Sequence, residues 1–437
     1  MDHKRVAVAT LGCKVNQYES AALEELFRRR GYRVVDFDQP ADVYVINTCT
    51  VTHLGDRKSR QLIRRAARTN PEAVVAVTGC YAQNAPDEVL DIDGVDLVVG
   101  AGHRGGIVDL VEGAVKGNKT AAVGNFSGNP EFEELPGETN QGRVRAFLKI
   151  QEGCRNFCSY CIVPYARGPL RSRAPENVLA GAAELLAHGY KEIVLTGVHT
   201  GAYGREPGGA MRLAELLEKL AVLPGLLRLR LSSLEPHDVT PEILDLLSSG
   251  PPFCRHLHIP LQSGDDEILK SMRRTYDTAY FRRLTNEIRE KIPDCGITTD
   301  VMVGFPGETE RHFENTIKFV SAMQFSGLHV FKYSPRRGTP AADFANQVEP
   351  PVKDRRSRRL IALGREMTGR FAAGYTGQAV DVLAEQLDPA DGDGFRIEGL
   401  TDNYLRVTFT GPPEMLGEIV KVRVTGTSDT VLNARII

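Results

Sequence analysis

Apolar positions in the first hundred residues follow two alternating rhythms. Lys4–Thr10 (KRVAVAT) reads as a short strand. Leu23, Leu26 and Phe27 then share one helix face, with Asn16 as the expected cap, Glu19 three residues on and Gly31 as the stop. Val43–Asn47, Val74–Thr78 and Leu97–Val99 read as further strands, and a basic helix is expected from about Asp56 to Thr69. Strand and helix in alternation predict a parallel sheet. From about Lys119 to Gly142 the pattern breaks into Gly, Asn, Glu and Pro, which predicts a linker or surface excursion.

The alternation then resumes. Apolar runs fall at Ala146–Ile150, Ile193–Thr196, Arg228–Ser232, Arg255–Leu261, Thr298–Val303 and His329–Tyr333, with helical patterns such as Glu176–His188 and Tyr280–Ile292 between them. Six consecutive βα units predict an open or partial barrel, because a closed eight-unit barrel needs more chain. Each crossover should be right-handed. Arg355–Arg370 reads as a basic connecting helix. Beyond Phe371 the rhythm shortens to alternating strands at Gln378–Leu383, Gly394–Leu400, Leu405–Thr408, Glu418–Val424 and Thr430–Ile436. That predicts a small all-β barrel of a kind that holds nucleic acid. The expectation is thus an α/β multidomain chain. Residues 1–116 form a parallel α/β domain, 117–142 a linker, 143–370 a partial (β/α)6 barrel and 371–437 a β-barrel.

A chain of 437 residues accommodates two to four domains. No apolar run approaches the roughly 20 residues that span a bilayer, and Met1–Thr10 has no signal-peptide h-region. The expected location is cytoplasmic, where thiols stay reduced. The net charge of −2 announces no nucleic-acid partner by itself. Charge is locally uneven, however. Arg57, Lys58, Arg60, Arg64, Arg65 and Arg68 crowd one stretch, and Arg355, Arg356, Arg358 and Arg359 another. Local patches, not totals, bind phosphate. Arg57, Arg60, Arg64 and Arg68 fall on roughly one helix face, which either meets phosphate or is merely solvated.

The eight cysteines carry the chemistry. Cys154, Cys158 and Cys161 have the spacing Cys-x3-Cys-x2-Cys, directly after the strand Ala146–Ile150. Three thiolates so close can hold three irons of a cubane and leave the fourth open to substrate. A zinc site would want a fourth Cys or His nearby, and none is obvious. Cys13, Cys49 and Cys80 each follow one strand of the first domain. Loops leaving the C-terminal ends of parallel strands converge on one crevice, so these three make a second candidate cluster site. Any one alone would read as a small buried hydrophobe. Cys254 and Cys295 fit neither set.

The cysteine loop, with Tyr160 before its last thiol, resembles the radical S-adenosylmethionine (SAM) superfamily. Together with Leu11–Glu19 (LGCKVNQYE), Asn47–Thr52 (NTCTVT), Gly79–Gln83 (GCYAQ), Ile259–Gly264 (IPLQSG), Asp300–Glu308 (DVMVGFPGE) and Tyr333–Pro340 (YSPRRGTP), the chain resembles the methylthiotransferases over nearly its whole length. That resemblance implies an N-terminal domain with three cluster cysteines, a radical SAM partial barrel and a C-terminal TRAM domain. It implies two 4Fe–4S clusters and two SAM molecules per turnover. One SAM methylates a sulfur on the Cys13/Cys49/Cys80 cluster. The other yields a radical that takes hydrogen from C2 of an adenine, which then captures the methylthio group. LGCKVNQYE with Leu195–Gly204 (LTGVHTGAYG) looks most like the bacterial enzymes for threonylcarbamoyladenosine at tRNA position 37. Isopentenyladenosine in tRNA and a ribosomal-protein aspartate are the alternative substrates within the family. A non-catalytic iron–sulfur or zinc RNA-binding protein is the alternative outside it. The implied partners are a tRNA carrying threonylcarbamoyladenosine and an electron donor such as flavodoxin or ferredoxin.

The resemblance also places SAM-binding segments at strand ends, where barrels of this kind do chemistry. Here these are Thr196, Gly197 and His199; Ser232, Ser233 and Glu235; Gln262 and Ser263; and Val303, Gly304 and Phe305. Ordinary turn chemistry is the competing explanation for each. Arg167, Arg171 and Arg173 follow the cysteine loop and are expected to fork onto a SAM carboxylate or a tRNA phosphate.

Overall fold

The computed structural model describes residues 3–126, 131–137, 144–389 and 394–437. The chain begins β1 (Arg5–Thr10), α1 (Lys14–Arg29), β2 (Arg33–Val35), β3 (Val43–Thr48), α2 (His53–Thr69) and β4 (Val74–Gly79). It continues α3 (Cys80–Asn84), α4 (Pro86–Leu90), β5 (Leu97–Val99), α5 (Ile107–Glu112) and β6 (Thr120–Ala122). The six strands form one parallel sheet in the order β2-β1-β3-β4-β5-β6. Every residue of β3 is buried, as a central parallel strand covered on both faces must be. Tyr44, Ile46, Val75 and Val77 pack with Ile63 and Ala66 of α2 on one face, and Val43 and Val45 with Leu23 and Phe27 of α1 on the other.

Two details differ from the sequence reading. Helix α1 begins at Lys14, with Cys13 as its N-cap residue, so Asn16 is not a cap. It lies in the first turn, and its amide donates to the carbonyls of Leu11 (2.6 Å) and Thr48 (3.0 Å), tying two cysteine loops together. Strand β6 lies at 120–122, so the first sheet extends past residue 116. The expected linker is also not a free excursion over 131–137. Leu135 is buried against Tyr18 and Ala22, and Glu133 pairs with buried Arg104. Residues 127–130 and 138–143 lie outside the described residues.

The middle of the chain runs β7 (Arg145–Glu152), α6 (Val163–Arg167), β8 (Arg171–Ser172), α7 (Pro175–Ala187), β9 (Glu192–Gly197), α8 (Leu213–Ala221), β10 (Arg228–Leu231) and α9 (Pro241–Ser248). There follow β11 (His256–His258), α10 (Asp266–Ser271), α11 (Thr278–Lys291), β12 (Gly296–Val303), α12 (Glu310–Met323) and β13 (Gly327–Lys332). The strands pair in the orders β10-β9-β7-β8 and β11-β12-β13, and single bridges at Leu229–Phe253 and Ser233–His258 join the two sheets. The result is an open half-barrel of parallel strands, with the short β8 added antiparallel to β7 at one edge. One face of each strand feeds the apolar core beneath the helices, through residues such as Leu148, Ile193, Leu229, Leu257 and Val301.

Helix α13 (Pro350–Ala373) leads to the C-terminal module. Its arginine cluster is divided, with Arg355 and Arg358 exposed and the other two engaged. Arg356 is buried and donates to the Glu308 carbonyl at 3.0 Å, and Arg359 donates to Glu314 at 2.6 Å. The strands β14 (Ala379–Pro389), β15 (Phe395–Thr401), β16 (Arg406–Gly411), β17 (Ile419–Ser428) and β18 (Val431–Ile436) close a barrel in the order β14-β15-β16-β18-β17. It docks on the strand N-termini of the half-barrel. Arg228 donates to the carbonyls of Leu400 (2.9 Å) and Asp381 (2.7 Å), Arg230 donates to that of Asp402 (2.8 Å), and Tyr404 stacks on His256 at 4.4 Å. Among the described residues no helix is long and apolar enough to cross a membrane.

Candidate active site

The loop holding Cys154, Cys158 and Cys161 leaves the C-terminal end of β7. Gly153 opens it at φ +78°, and a side-chain carbon there would lie 1.8 Å from the Pro169 carbonyl oxygen, so only glycine fits. Cys154 N donates to Gly168 O at 3.0 Å. Ser159 N donates to Met272 O at 3.1 Å and Ser159 Oγ to Ser271 O at 2.8 Å. The loop is therefore fixed from both sides. Arg274, far along the chain, donates from Nη1 to Cys158 Sγ at 3.2 Å, pairs with Glu235 and lies over the Tyr276 ring.

Cys158 and Cys161 resist ionisation. Burial, then the neighbouring Cys158 thiolate, pushes Cys161 up to about 12, and burial also raises Cys158. A cationic cluster offsets both costs, which is the chemistry a three-thiolate donor set serves. In the second set, Cys49 and Cys80 show the same pattern. Burial, then repulsion from Cys80, raises Cys49 to about 12. Cys80 is raised by burial against the pull of Arg167. The loops meet: a side-chain carbon on Gly12 would lie 3.0 Å from Cys49 Cβ and 3.3 Å from its Sγ. Both donor sets suit a 4Fe–4S cluster, and the first also has His199 Nδ1 3.9 Å from Cys154 Sγ.

A buried ionic network joins the two sets, centred on Arg167. This residue ends α6, just after the first cysteine loop. Its Nε donates to Cys80 Sγ at 3.1 Å, its Nη1 to Glu19 at 2.5 Å and Glu152 at 2.8 Å, and its Nη2 to Asn16 Oδ1 at 2.7 Å. Lys149 bridges Glu19 (2.9 Å) and Glu152 (2.7 Å), while Arg104 pairs with Glu19, Glu133 and Glu152. Burial opposes ionisation of Glu19, yet Arg104, Arg167 and Lys149 hold it well below the usual carboxylate range. The expectation that Arg167, Arg171 and Arg173 contact SAM or tRNA is therefore corrected. All three are buried; Arg171 joins Glu152 at 3.6 Å, and Arg173 binds Glu134 at 2.8 Å. No local spacing pointed to this, because Glu19 and Glu134 lie outside the half-barrel and Glu152 ends the strand before the cysteine loop.

The strand-end residues around the first loop divide by role. Tyr160 packs beside the buried Phe305–Tyr333 cluster. Thr196 and Gly197 end β9, and the next turn brings His199 Nδ1 to 3.9 Å from Cys154 Sγ. His199 Nε2 lies 2.7 Å from Asp238, and Gln151 Oε1 receives the His199 N–H at 2.7 Å. Burial lowers the affinity of His199 for its proton, but Asp238 and then Cys154 raise it to about 9. Ser232 Oγ lies 3.0 Å from Thr200 Oγ1, Ser233 is exposed, and Glu235 is held by Arg274. Gln262 has φ +65°, with its backbone paired to Asp300 and Met302. Three residues are more committed internally than expected. Ser263 Oγ accepts from Asp265 N at 3.3 Å, the Gly304 N–H is bound by Glu308, and the Phe305 ring is fully buried. Asp238 and Arg274 were missed, since no local spacing marks them.

Helix α2 follows the Cys49 loop, capped by Thr52 Oγ1, which accepts from Gly55 N at 3.2 Å. Arg57, Arg64 and Arg68 are exposed, and among the described residues no carboxylate pairs with them. Arg60 is half-buried and donates to Tyr81 at 3.0 Å. Asp56 holds Arg336, of the YSPRRGTP segment, at 2.5 Å. Phe157 and Tyr165 flank the first loop, both 45% exposed and in edge contact at 5.7 Å.

Comparison with known proteins matches this arrangement. The Radical SAM superfamily model covers residues 148–320, the Uncharacterized protein family UPF0004 model residues 5–100, and the TRAM domain model residues 374–437. The Bacillus subtilis protein "Threonylcarbamoyladenosine tRNA methylthiotransferase MtaB" is 46% identical over 96% of this chain and 93% of its own length. The chain belongs to the radical SAM tRNA methylthiotransferases. A Thermotoga maritima methylthiotransferase of the same name is 38% identical over 98% of this chain and 95% of its own. The Moorella thermoacetica "tRNA-2-methylthio-N(6)-dimethylallyladenosine synthase" is 34% identical over 99% and 98%. Among solved structures, the radical S-adenosylmethionine methyltransferase TsrM from Kitasatospora setae superposes with TM-score 0.55. It is 17% identical over 89% of this chain and 79% of its own, a likeness of fold alone. In this methylthiotransferase the first sheet, the half-barrel and the closed barrel coincide with the three family models.

Proposed function

We propose that this protein adds a methylthio group to C2 of N6-threonylcarbamoyladenosine at position 37 of tRNA. One observation carries the reading: Arg167, on the helix that follows the first cysteine set, donates to Cys80 of the second, in a chain 46% identical over 96% of its length to an enzyme of that name. The residues at 1–116, 143–370 and 371–437 then divide the work as sulfur site, radical site and RNA-holding barrel, with Leu135 and Glu133 of the intervening segment packed against the first domain. Cys154, Cys158 and Cys161 would hold one 4Fe–4S cluster, and Cys13, Cys49 and Cys80 the other. When bound there, the clusters and SAM supply one-electron cleavage of SAM at one end and a methylthio donor at the other.

The chain's own residues do the rest. Ser159 and Arg274 fix the first loop, and Arg167 fixes the second set against it. Thr196, Gly197, His199, Ser232, Ser233, Glu235 and Gln262, with Val303 and Gly304, sit at the strand ends and would hold SAM there. His199 carries a proton toward the cysteine loop, held there by Asp238. Phe157 and Tyr165 offer exposed rings for an unstacked base. Arg57, Arg64 and Arg68 meet the RNA backbone. The electron enters from a flavodoxin- or ferredoxin-type donor, and the work takes place in the cytoplasm. Purified protein given SAM, a reductant and an anticodon stem-loop tests this by mass spectrometry of the product. Methylthiolation of the threonylcarbamoyl RNA supports the reading. Methylthiolation of a dimethylallyl RNA alone, or of neither, overturns it.

A further inference from the structure

Along the half-barrel strands, side chains alternate between the apolar core and the opposite, concave face. Leu257 and Val301 fill the core. His258, Asp300 and His329, on the adjacent strands β11, β12 and β13, take the other face. Their register is direct, with Asp300 beside His329 and Thr298 beside His258. Two imidazoles close on one carboxylate oxygen. Asp300 Oδ1 lies 3.2 Å from His258 Nε2 and 3.2 Å from His329 Nδ1, and the two rings stack with centroids 5.3 Å apart. The three donor atoms all lie within 4.8 Å of one another. Among the described residues no hydrogen bond or ion pair links them to a cysteine, so they stand apart from both thiol sets.

An imidazolium–carboxylate hydrogen bond settles at about 2.7–2.9 Å. Two donors each about 2.1 Å from one ion lie roughly 3.0 Å apart in an octahedral arrangement and roughly 3.4 Å in a tetrahedral one. Both contacts to Asp300 fall in that second interval. The side chain of His329 is 60% exposed, so a turn of its ring closes the third edge. His258 is already oriented as a ligand must be. Its far nitrogen, Nδ1, lies 2.9 Å from Thr298 Oγ1, which in turn lies 3.0 Å from His256 Nε2. A histidine held through its second nitrogen presents the first in a fixed direction. All three donors sit on strands, not loops, which limits how far they can stray.

We propose that His258 Nε2, Asp300 and His329 Nδ1 form a site for a divalent transition-metal ion such as zinc, separate from both iron–sulfur sites. Two imidazoles and one carboxylate suit zinc or iron(II), whereas magnesium and calcium want oxygen alone. With three protein ligands, the ion keeps a position open for water or another oxygen donor, as structural zinc does not. The site stands whether or not threonylcarbamoyladenosine is the substrate.

Zinc is the probe. Holoenzyme with both clusters intact, judged by iron and sulfide content, is titrated with zinc in equilibrium dialysis. Wild type should bind about one zinc per chain at saturation. His329→Ala and Asp300→Asn should each weaken that binding by at least about 100-fold, since losing a ligand costs more than the roughly 10- to 100-fold of losing an outer hydrogen bond. Thr298→Val should fall in the smaller range. His188→Ala, at an exposed histidine elsewhere, should change nothing. Because His329 lies at the exposed edge, its variant tests the site without disturbing the core. The zinc absorption edge should show imidazole scattering and no sulfur at about 2.3 Å. Wild type with no saturable zinc, zinc bound through sulfur, or zinc bound equally by wild type, His329→Ala and Asp300→Asn would each overturn the site and leave the triad a hydrogen-bonded cluster only.

Discussion

At the scale of single residues, the two thiol sets are separable by experiment. Replacing Cys154, Cys158 and Cys161 with Ala should remove about half the iron and abolish reductive SAM cleavage, read as 5′-deoxyadenosine. Replacing Cys13, Cys49 and Cys80 should remove the other half and leave SAM cleavage intact. Unchanged iron in the second variant would reject the second site. A separate prediction concerns Glu308. Burial raises it from 4.5 to about 7 against the pull of Arg356. Its folded pKa lies above its unfolded one, so its contribution to stability is fully present below pH 4.5 and is lost as pH rises through about 7. Glu308→Gln should remove a pH dependence on the order of 2–3 kcal/mol in urea unfolding across that window. An unchanged profile would contradict it. The cysteines were legible because thiol spacing and strand-end position are local features. Arg274 and Arg167 were not, because each reaches its sulfur from a distant part of the chain.

At the scale of elements, the strands of both sheets were legible wherever several apolar residues ran together. The misses were β2, β6 and β8, edge strands of two or three residues, too short to show a period. The start of α1 was misplaced because Asn16 has the chemistry of a cap but spends it on two loop carbonyls. Helix α2 was read as one basic face, and the structure divides that face. Arg60 is held by Tyr81, while Arg57, Arg64 and Arg68 stay exposed. Replacing those three with Ala should weaken tRNA binding and lower the slope of log K against log salt by about 2–3, since each phosphate contact contributes roughly 0.7–0.9. An unchanged slope would make this helix merely a solvated surface.

At the scale of the whole molecule, the domains are joined by buried charge. Glu19 of the first domain and Glu152 of the half-barrel share Arg104, Arg167 and Lys149. Arg104 touches no cysteine, and its side chain is wholly buried. Arg104→Met should leave two buried carboxylates short of a partner and lower stability by about 3–5 kcal/mol, read as an earlier urea transition. A midpoint equal to wild type would show that the network does not hold the domains. The C-terminal barrel is fastened differently, by Arg228 and Arg230 on its loop carbonyls and by Tyr404 on His256. The order of domains was legible in the sequence, but these contacts between them were not, because periodicity reports only what a segment does with its own neighbours.

The central claim is the transfer of a methylthio group to threonylcarbamoyladenosine in tRNA. It is tested most directly by mass spectrometry of tRNA nucleosides from a strain lacking this gene, with and without the gene restored. The 2-methylthio form of threonylcarbamoyladenosine should vanish and return, while the unmethylthiolated nucleoside accumulates in its place. A nucleoside profile that does not change, or one in which only the dimethylallyladenosine derivative changes, would contradict it.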